Sequence, residues 1–217
     1  RALSRVIHET VRRNRVADGL AYLQVSRGAG PREFTYPQRG TRPTIVCLAR
    51  SHNPAKLEAA AATGIAVVTA ADIRWGRPDI KTVQLLPAAM AKEKAKRAGA
   101  KEAWLVDAAG NVTEGASSNA WIVDRGGRVI TRPAETDILR GVTRTVLIDV
   151  IAARGLTFEE RAFSVDEAKA AAEAFITSAS NIVTPVISID GITIGDGRPG
   201  ELSRKLRSLF ATASVLT

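Results

Sequence analysis

The chain has 217 residues, of which 45% are apolar, 24% charged and only 5% aromatic. This composition is ordinary for a globular protein and argues against a disordered, collagen-like or coiled-coil chain, and no apolar run approaches the about 18 residues of a membrane-spanning helix. The excess of 31 Lys and Arg over 22 Asp and Glu raises nucleic acid, an anionic membrane or an anionic ligand as partners.

The first 50 residues predict a helix followed by a β-hairpin. Apolar residues recur at helical spacing across 2–13. Two extended runs at 21–27 and 43–49 flank a loop rich in Gly, Pro and Arg. The Asn-Pro turn and the lack of periodicity at 51–56 then predict a linker.

The middle of the chain predicts strands, one helix and two hairpins. A short buried strand is expected at 64–70, an irregular strand at 72–81 and a helix at 86–98. The apolar period then changes to two, which predicts antiparallel hairpins with strands at 102–107, 112–115, 119–124 and 128–132.

Helical patterning returns in the last third. A helix is expected at 142–153, and Ser164 with Glu167 forms a capping box for a second one at 165–173. The remaining predicted elements are strands at 175–180, 184–190 and 192–194 and a helix from about 201. Strands interspersed with separate helices favour an α+β fold.

Several candidate sites have ordinary explanations. The positive residues lie on the polar sides of apolar helical stripes without interleaved aromatic rings, which is typical of solvated helix faces and not of a nucleic-acid footprint. His8 and His52 have no partners at metal-ligand spacing, and the single cysteine, Cys47, lies in an apolar strand. We therefore predict no metal site and no internal disulfide, which fits a reducing compartment.

The sequence GDGRPG at 195–200 matches the glycine pattern of dinucleotide-binding loops. Only 17 residues follow Gly200, too few for the returning strand and the ribose-binding acid that such a site needs. We interpret it as a hairpin end and a helix entry.

Two segments carry residues with more specific chemistry. Lys81 follows Ile80 in DIKTVQLL, and its amine either reaches the surface or is held in a pocket as a nucleophile. Glu114 lies in a glycine-containing elbow followed by Ser117 and Ser118. Small hydroxyl residues in such a bend leave room for a planar ligand and offer it donors, and the carboxylate suits a cationic ring nitrogen.

Two further segments predict a phosphate site. Gly141, Val142 and Thr143 begin a helix, whose free amide groups attract an anion. The small residues at 177–180 form a turn whose amides complete that site. A reactive lysine, a partner for a pyridinium nitrogen and a phosphate cradle are together the groups that pyridoxal phosphate chemistry requires.

Four motifs in order support a family resemblance: DIRWGRPDIKTVQLL, NVTEGASSNAWIV, ILRGVTR and FITSASNIVTPVISIDG. The chain resembles the class IV (fold type IV) pyridoxal-phosphate aminotransferases, and most of all the branch of the D-amino-acid aminotransferases. The resemblance implies that Lys81 forms an aldimine with pyridoxal 5'-phosphate and that Glu114 bonds its pyridine nitrogen. The same resemblance places the remaining cofactor contacts at Leu139, Val142, Thr143, Ser178 and Ala179.

The segment YLQVSRGAGPREF at 22–34 carries the resemblance to the D-amino-acid branch. Arg32 matches the arginine that holds the substrate α-carboxylate, while Phe34 stands where the branch has a histidine. In the family this loop reaches the active site of a partner subunit, so the resemblance implies a homodimer. Family members also carry residues before the position of Arg1, so the small domain is expected to be incomplete in this chain.

The resemblance implies a two-domain fold type IV enzyme. We expect a remnant of the small N-terminal domain at 1–50, a linker at 51–57 and a large cofactor-binding domain at 58–217. The expected activity is transfer of the amino group of a D-amino acid to a 2-oxo acid such as 2-oxoglutarate, in the cytoplasm and without nucleic acid or membrane partners. The alternatives are an (R)-amine transaminase, a branched-chain aminotransferase, aminodeoxychorismate lyase and, outside the family, a basic nucleic-acid-binding domain.

Overall fold

The computed structural model describes residues 1–214, and the chain divides into two compact units, residues 1–56 (unit 1) and the residues from 57 onward (unit 2). Unit 1 contains α1 (Ala2–Arg13), β1 (Gly19–Ser26) and β2 (Thr44–Ser51). The two strands pair antiparallel over their whole length, from Gly19 opposite Ser51 to Ser26 opposite Thr44, which confirms the predicted hairpin.

A helix that the sequence does not predict, α2 (Pro54–Thr63), begins inside the segment 51–56. The side chain of Asn53 accepts a hydrogen bond from the amide of Ala55 at 3.0 Å and so caps the first turn. The helix is rich in alanine and has no apolar stripe, which is why hydrophobic periodicity misses it.

Unit 2 is built around a nine-stranded mixed sheet. Its strands are β3 (Ile65–Ala71), β4 (Glu102–Val106), β5 (Val112–Gly115), β6 (Asn119–Val123), β7 (Val129–Thr131), β8 (Phe158–Glu160), β9 (Glu173–Ser178), β10 (Ile182–Ile189) and β11 (Ile192–Thr193). Its helices are α3 (Leu86–Arg97), α4 (Val142–Ala153), α5 (Val165–Ala170) and α6 (Glu201–Ser214).

The strand order is β5-β4-β3-β10-β9-β6-β7-β8, with β11 paired to β10. The pairs β3–β4, β3–β10 and β7–β8 are parallel, and the others are antiparallel. This mixture of parallel and antiparallel strands with separate helices is the α+β architecture that the sequence predicts.

Both faces of the central strands are buried. On β6, Trp121 packs in a cluster with Leu147 of α4 and Leu206 of α6, while the next residue, Ile122, packs in a second cluster with Ala168 of α5. Every residue of β5, β6 and β7 is consequently buried. A period of two often accompanies a sheet with one solvated face, but here helices cover both faces of the sheet.

Three other expectations differ from the structure. Residues 72–81 form turns and bends instead of an irregular strand, and the backbone amide of Arg74 donates a local hydrogen bond to the side chain of Asp72. The helix predicted at 165–173 ends at Ala170, since the chain turns extended to enter β9. The three-residue strand β8 is missing from the prediction. No helix within residues 1–214 is long and apolar enough to cross a membrane.

Candidate active site

Glu114 is a buried carboxylate held by three donors. Its side chain, in β5, is 6% exposed. One carboxylate oxygen, Oε1, accepts hydrogen bonds from Arg74 Nη1 and from the backbone amide of Leu139, the latter at 3.2 Å. The other oxygen, Oε2, accepts from Asn119 Nδ2 at 2.9 Å. Charge-assisted and neutral donors together fix the orientation of the carboxylate.

Opposing effects set the pKa of Glu114. Burial is the largest and raises the pKa to about 7, whereas the charge and hydrogen bond of Arg74 and the amide of Leu139 lower it. The nearby charge of Asp72 adds to the increase. Glu114 is therefore a carboxylate that changes charge near neutral pH and that gains from a cationic partner.

Asn119 connects Glu114 to the start of α4. Its Nδ2 also donates to the backbone carbonyl of Leu139 at 2.9 Å. A Cβ on Gly141 would lie 2.3 Å from Asn119 Oδ1, so the chain passes close to the amide side chain only because residue 141 is glycine. These contacts bring Glu114, Leu139 and Gly141, the residue before α4, together.

The start of α4, where the sequence predicts an anion site, has no side-chain cap. Gly141 has no side chain with which to cap the helix, and Val142 and Thr143 occupy the first helical positions. Thr143 is buried and Val142 is exposed. Unsatisfied amides at a helix N-terminus carry partial positive charge, which suits a phosphate group.

The turn at Ser178 and Ala179 lies at the same end of the β6–β9 pair as Asn119. Strand register places Asn119 opposite Thr177, and β9 ends one residue later. The hydroxyl of Ser178 accepts a hydrogen bond from the backbone amide of Asn181 at 3.1 Å and closes the turn. The turn therefore follows β9 at the same end of the sheet as Asn119, the first residue of β6, which contacts Glu114.

Ser117 and Ser118 do not offer free donors to a ligand. Their hydroxyls donate to Glu102 Oε2 at 2.7 and 3.1 Å. Glu102 is itself 2% exposed and also lies 3.3 Å from the amine of Lys92. The expectation that these hydroxyls face a planar ligand is therefore wrong, because a buried carboxylate uses them.

Lys81 is exposed in the irregular segment between β3 and α3. Among the described residues, no hydrogen bond or ion pair joins it to Glu114. Large apolar side chains around it are also exposed, with Val83 and Leu85 each at 63%. The structure does not enclose the amine in the pocket considered from the sequence, and the role of Lys81 stays a prediction.

Arg32 and Phe34 lie in the loop between β1 and β2 of unit 1. Both are exposed, and the side chain of Phe34 is fully so. Another arginine of this loop, Arg27, lies 4.0 Å from the ring centre of Tyr36 in a cation–π contact. The substrate role of Arg32 also stays a prediction.

The helix start after GDGRPG is occupied by a side chain of the protein itself. Glu173 accepts the amides of Leu202 and Ser203, each at 2.8 Å, and so caps α6. A Cβ on Gly200 would lie 2.0 Å from the Glu173 carboxylate. The carboxylate takes the position that a phosphate would need, in agreement with our rejection of a dinucleotide site.

Sequence reasoning gives no role to Arg74, although it lies within the quoted motif DIRWGRPDIK. Its partner Glu114 is 40 residues away along the chain. In the sequence, Arg74 is marked only by its apolar neighbours, Ile73 and Trp75, and this pattern fits a surface arginine as well as a buried one. Only the folded arrangement shows which carboxylates it contacts.

Comparison with known proteins places this arrangement in one class. The family Amino-transferase class IV matches residues 1–189. A D-alanine aminotransferase of Bacillus licheniformis is 41% identical over 202 residues, which cover 93% of this chain and 70% of the relative. One of Staphylococcus haemolyticus is 37% identical over 207 residues, which cover 94% of this chain and 71% of the relative.

Solved structures agree with the fold. The branched-chain amino acid aminotransferase of Escherichia coli matches at a TM-score of 0.83 and 24% identity, covering 97% of this chain and 70% of that chain. The PLP-bound form of a hypothetical aminotransferase from Mycobacterium tuberculosis matches at 0.80 and 23% identity, covering 97% of this chain and 74% of that chain. The chain belongs to the class IV aminotransferases and has their fold type IV structure.

Proposed function

We propose that this protein is a pyridoxal-phosphate-dependent aminotransferase that moves the amino group of a D-amino acid to a 2-oxo acid such as 2-oxoglutarate. The substrate assignment is supported by the D-alanine aminotransferases at 41% and 37% identity. The structural observation that carries the proposal is the joining of a buried carboxylate, Glu114, to an uncapped helix start through Asn119.

The residues of this site fit pyridoxal phosphate. A carboxylate has about four lone-pair positions, and Glu114 uses three of them for Arg74, Leu139 and Asn119. Its Oε2 accepts from Asn119 alone and so retains capacity for a protonated ring nitrogen. Asn119 also contacts Leu139, shortly before α4, and the start of α4 supplies amides for a phosphate group.

The bound cofactor would supply an aldehyde that captures the substrate amine and a protonated ring that withdraws electrons. Glu114 would hold the proton on the ring nitrogen. The phosphate would be bound by Val142, Thr143, Ser178 and Ala179, and Leu139 would pack on the ring. The amine of Lys81 would anchor the cofactor and would carry a proton to and from the substrate α-carbon. Arg32 binds the substrate carboxylate through its guanidinium.

The test is transamination with 2-oxoglutarate and either D-alanine or L-alanine as donor, in the presence of pyridoxal phosphate. We expect turnover with D-alanine and a loss of at least about 100-fold in the Lys81→Ala variant, in line with the loss of a group that transfers protons. Lys96→Ala is the matched control, because Lys96 is an exposed lysine of α3 outside the site.

The donor preference decides among related activities. Turnover of L-branched donors alone would identify a branched-chain aminotransferase, and turnover of (R)-amines alone an amine transaminase. Full activity in Lys81→Ala would show that another residue anchors the cofactor.

We further infer that the enzyme is a cytoplasmic homodimer, as the resemblance of the loop at 22–34 implies. Light scattering should then give about twice the chain mass of 23.1 kDa, and the activity should fractionate with the cytoplasm. A particle of one chain that is fully active would contradict the dimer.

A further inference from the structure

Arg74 lies between two carboxylates, one of which is Glu114. Its guanidinium forms a bidentate pair with Asp72, with Nε 2.9 Å from Oδ1 and Nη2 2.7 Å from Oδ2. The remaining nitrogen, Nη1, donates to Oε1 of Glu114. The Arg74 side chain is 15% exposed, so these contacts are made with little access to water.

Independent contacts fix the direction in which Arg74 points. Thr113, the neighbour of Glu114 on β5, donates its hydroxyl to Asp72 Oδ2 at 2.8 Å. On another side, Arg74 Nη2 donates to the backbone carbonyl of Asp137 at 3.3 Å. A planar guanidinium held at three edges has little freedom to rotate away from Glu114.

The charged groups with the largest effects on the pKa of Glu114 are Arg74 and Asp72. Arg74 favours the ionised carboxylate, while burial and the negative charge of Asp72 oppose it. The donors on the other elements, Asn119 of β6 and the amide of Leu139, are neutral. Arg74 is therefore the cation that opposes, in part, the effect of burial on the pKa of Glu114.

We propose that Arg74 is a positioning residue that favours the ionised form of the Glu114 carboxylate and leaves its Oε2 available to the cofactor ring nitrogen. The inference rests on the proposed function, since it takes Glu114 as the partner of that ring. A protonated Glu114 would lose its ion pair with the ring and the ring would lose its proton, so the arginine acts on the chemistry through the glutamate.

A purely structural role for Arg74 is the alternative, and Arg132 provides a matched control. The Arg132 side chain is 16% exposed and also bridges two carboxylates, Asp107 at 2.8 Å and Asp137 at 2.5 Å. It makes no hydrogen bond or ion pair with Glu114 among the described residues. Loss of either arginine removes a comparable network, but only one network includes Glu114.

The experiment follows the side-chain carboxyl of Glu114 by carbon-13 NMR as a function of pH in the full chain without cofactor, with Glu114→Gln to assign the signal. We expect Arg74→Gln to raise the pKa of Glu114 by about one unit or more, because a positive charge in contact with a buried acid is lost. In Arg74→Lys the pKa of Glu114 should stay close to that of the parent, and Arg132→Gln should leave the titration unchanged.

The second measurement is the acid limb of the kcat/KM pH profile with D-alanine and pyridoxal phosphate. It should move to higher pH in Arg74→Gln, while Arg132→Gln keeps the parental profile. An unchanged Glu114 titration in a folded Arg74→Gln chain, or an equal shift in Arg132→Gln, would overturn the inference. If Arg74→Gln does not fold, Arg74→Lys is the deciding variant, because it keeps the positive charge. A Glu114 titration close to that of the parent then supports the inference. A Glu114 pKa raised by about one unit or more overturns it.

The two proposals fail in different ways. The titration of Glu114 needs no cofactor, so a missing shift overturns the role of Arg74 even in an active enzyme. An unmodified chain without transaminase activity would overturn the proposed function whatever the titration shows.

Discussion

Units 1 and 2 differ in charge and in burial. Residues 1–56 contain eleven Lys and Arg against three Asp and Glu, a formal charge of +8, whereas the remaining residues contain twenty against nineteen. None of the residues 1–56, all of which the structure describes, is buried. Unit 2 holds the buried sheet and both of its packed faces.

The net charge of +9 is distributed unevenly between the two units. At the level of the whole sequence it suggests a polyanion partner, but nearly all of the excess belongs to unit 1. In unit 2, arginines such as Arg74, Arg132 and Arg161 are each paired with carboxylates. The carboxylate site and its paired arginines lie where the charges balance, so net charge is a poor guide to this site.

Gly141 of unit 2 should tolerate substitution badly. In Gly141→Ala the new Cβ would collide with Asn119 Oδ1, which lies 2.3 Å away. Because the backbone at 141 is one that alanine adopts, the loss comes from the collision alone, and we expect about 2 kcal/mol less stability. Urea unfolding followed by tryptophan fluorescence measures it, since Trp75, Trp104 and Trp121 all lie in unit 2.

Gly30 of unit 1 is the matched position with a small expected effect. No heavy atom lies within 4 Å of a Cβ built there. Gly30→Ala should therefore change the free energy of unfolding, followed by far-ultraviolet circular dichroism of both units, by less than about 0.5 kcal/mol. Equal losses in the two variants would contradict the contrast between a packed unit 2 and an open unit 1.

Most of the fold follows from local sequence. Turn residues and periodicity predict the hairpins and four of the six helices closely, and Ser164 caps α5 through the amide of Glu167 at 3.0 Å. Periodicity fails at α2, which lacks an apolar stripe, and at the central strands, whose second face is covered by helices distant in sequence. Burial on two faces depends on the assembled layers and not on the strand alone.

The candidate site is only partly predictable for the same reason. Glu114 and the start of α4 are recognisable because an acid in an elbow and a glycine before a helix are local features. The hydroxyls of Ser117 and Ser118 are misassigned because their acceptor, Glu102, precedes them by a whole hairpin. Arg74 is missed because its role depends on a contact across 40 residues.

The most direct test of the account is chemical labelling of the lysine that holds the cofactor. The protein is incubated with pyridoxal phosphate, reduced with borohydride and mapped by peptide mass spectrometry. We predict that the pyridoxyl label lies on Lys81 and that it disappears in Lys81→Ala but not in Lys96→Ala. A label spread evenly over the exposed lysines, or unchanged in Lys81→Ala, would contradict the central claim that unit 2 carries a pyridoxal phosphate site at Lys81 and Glu114.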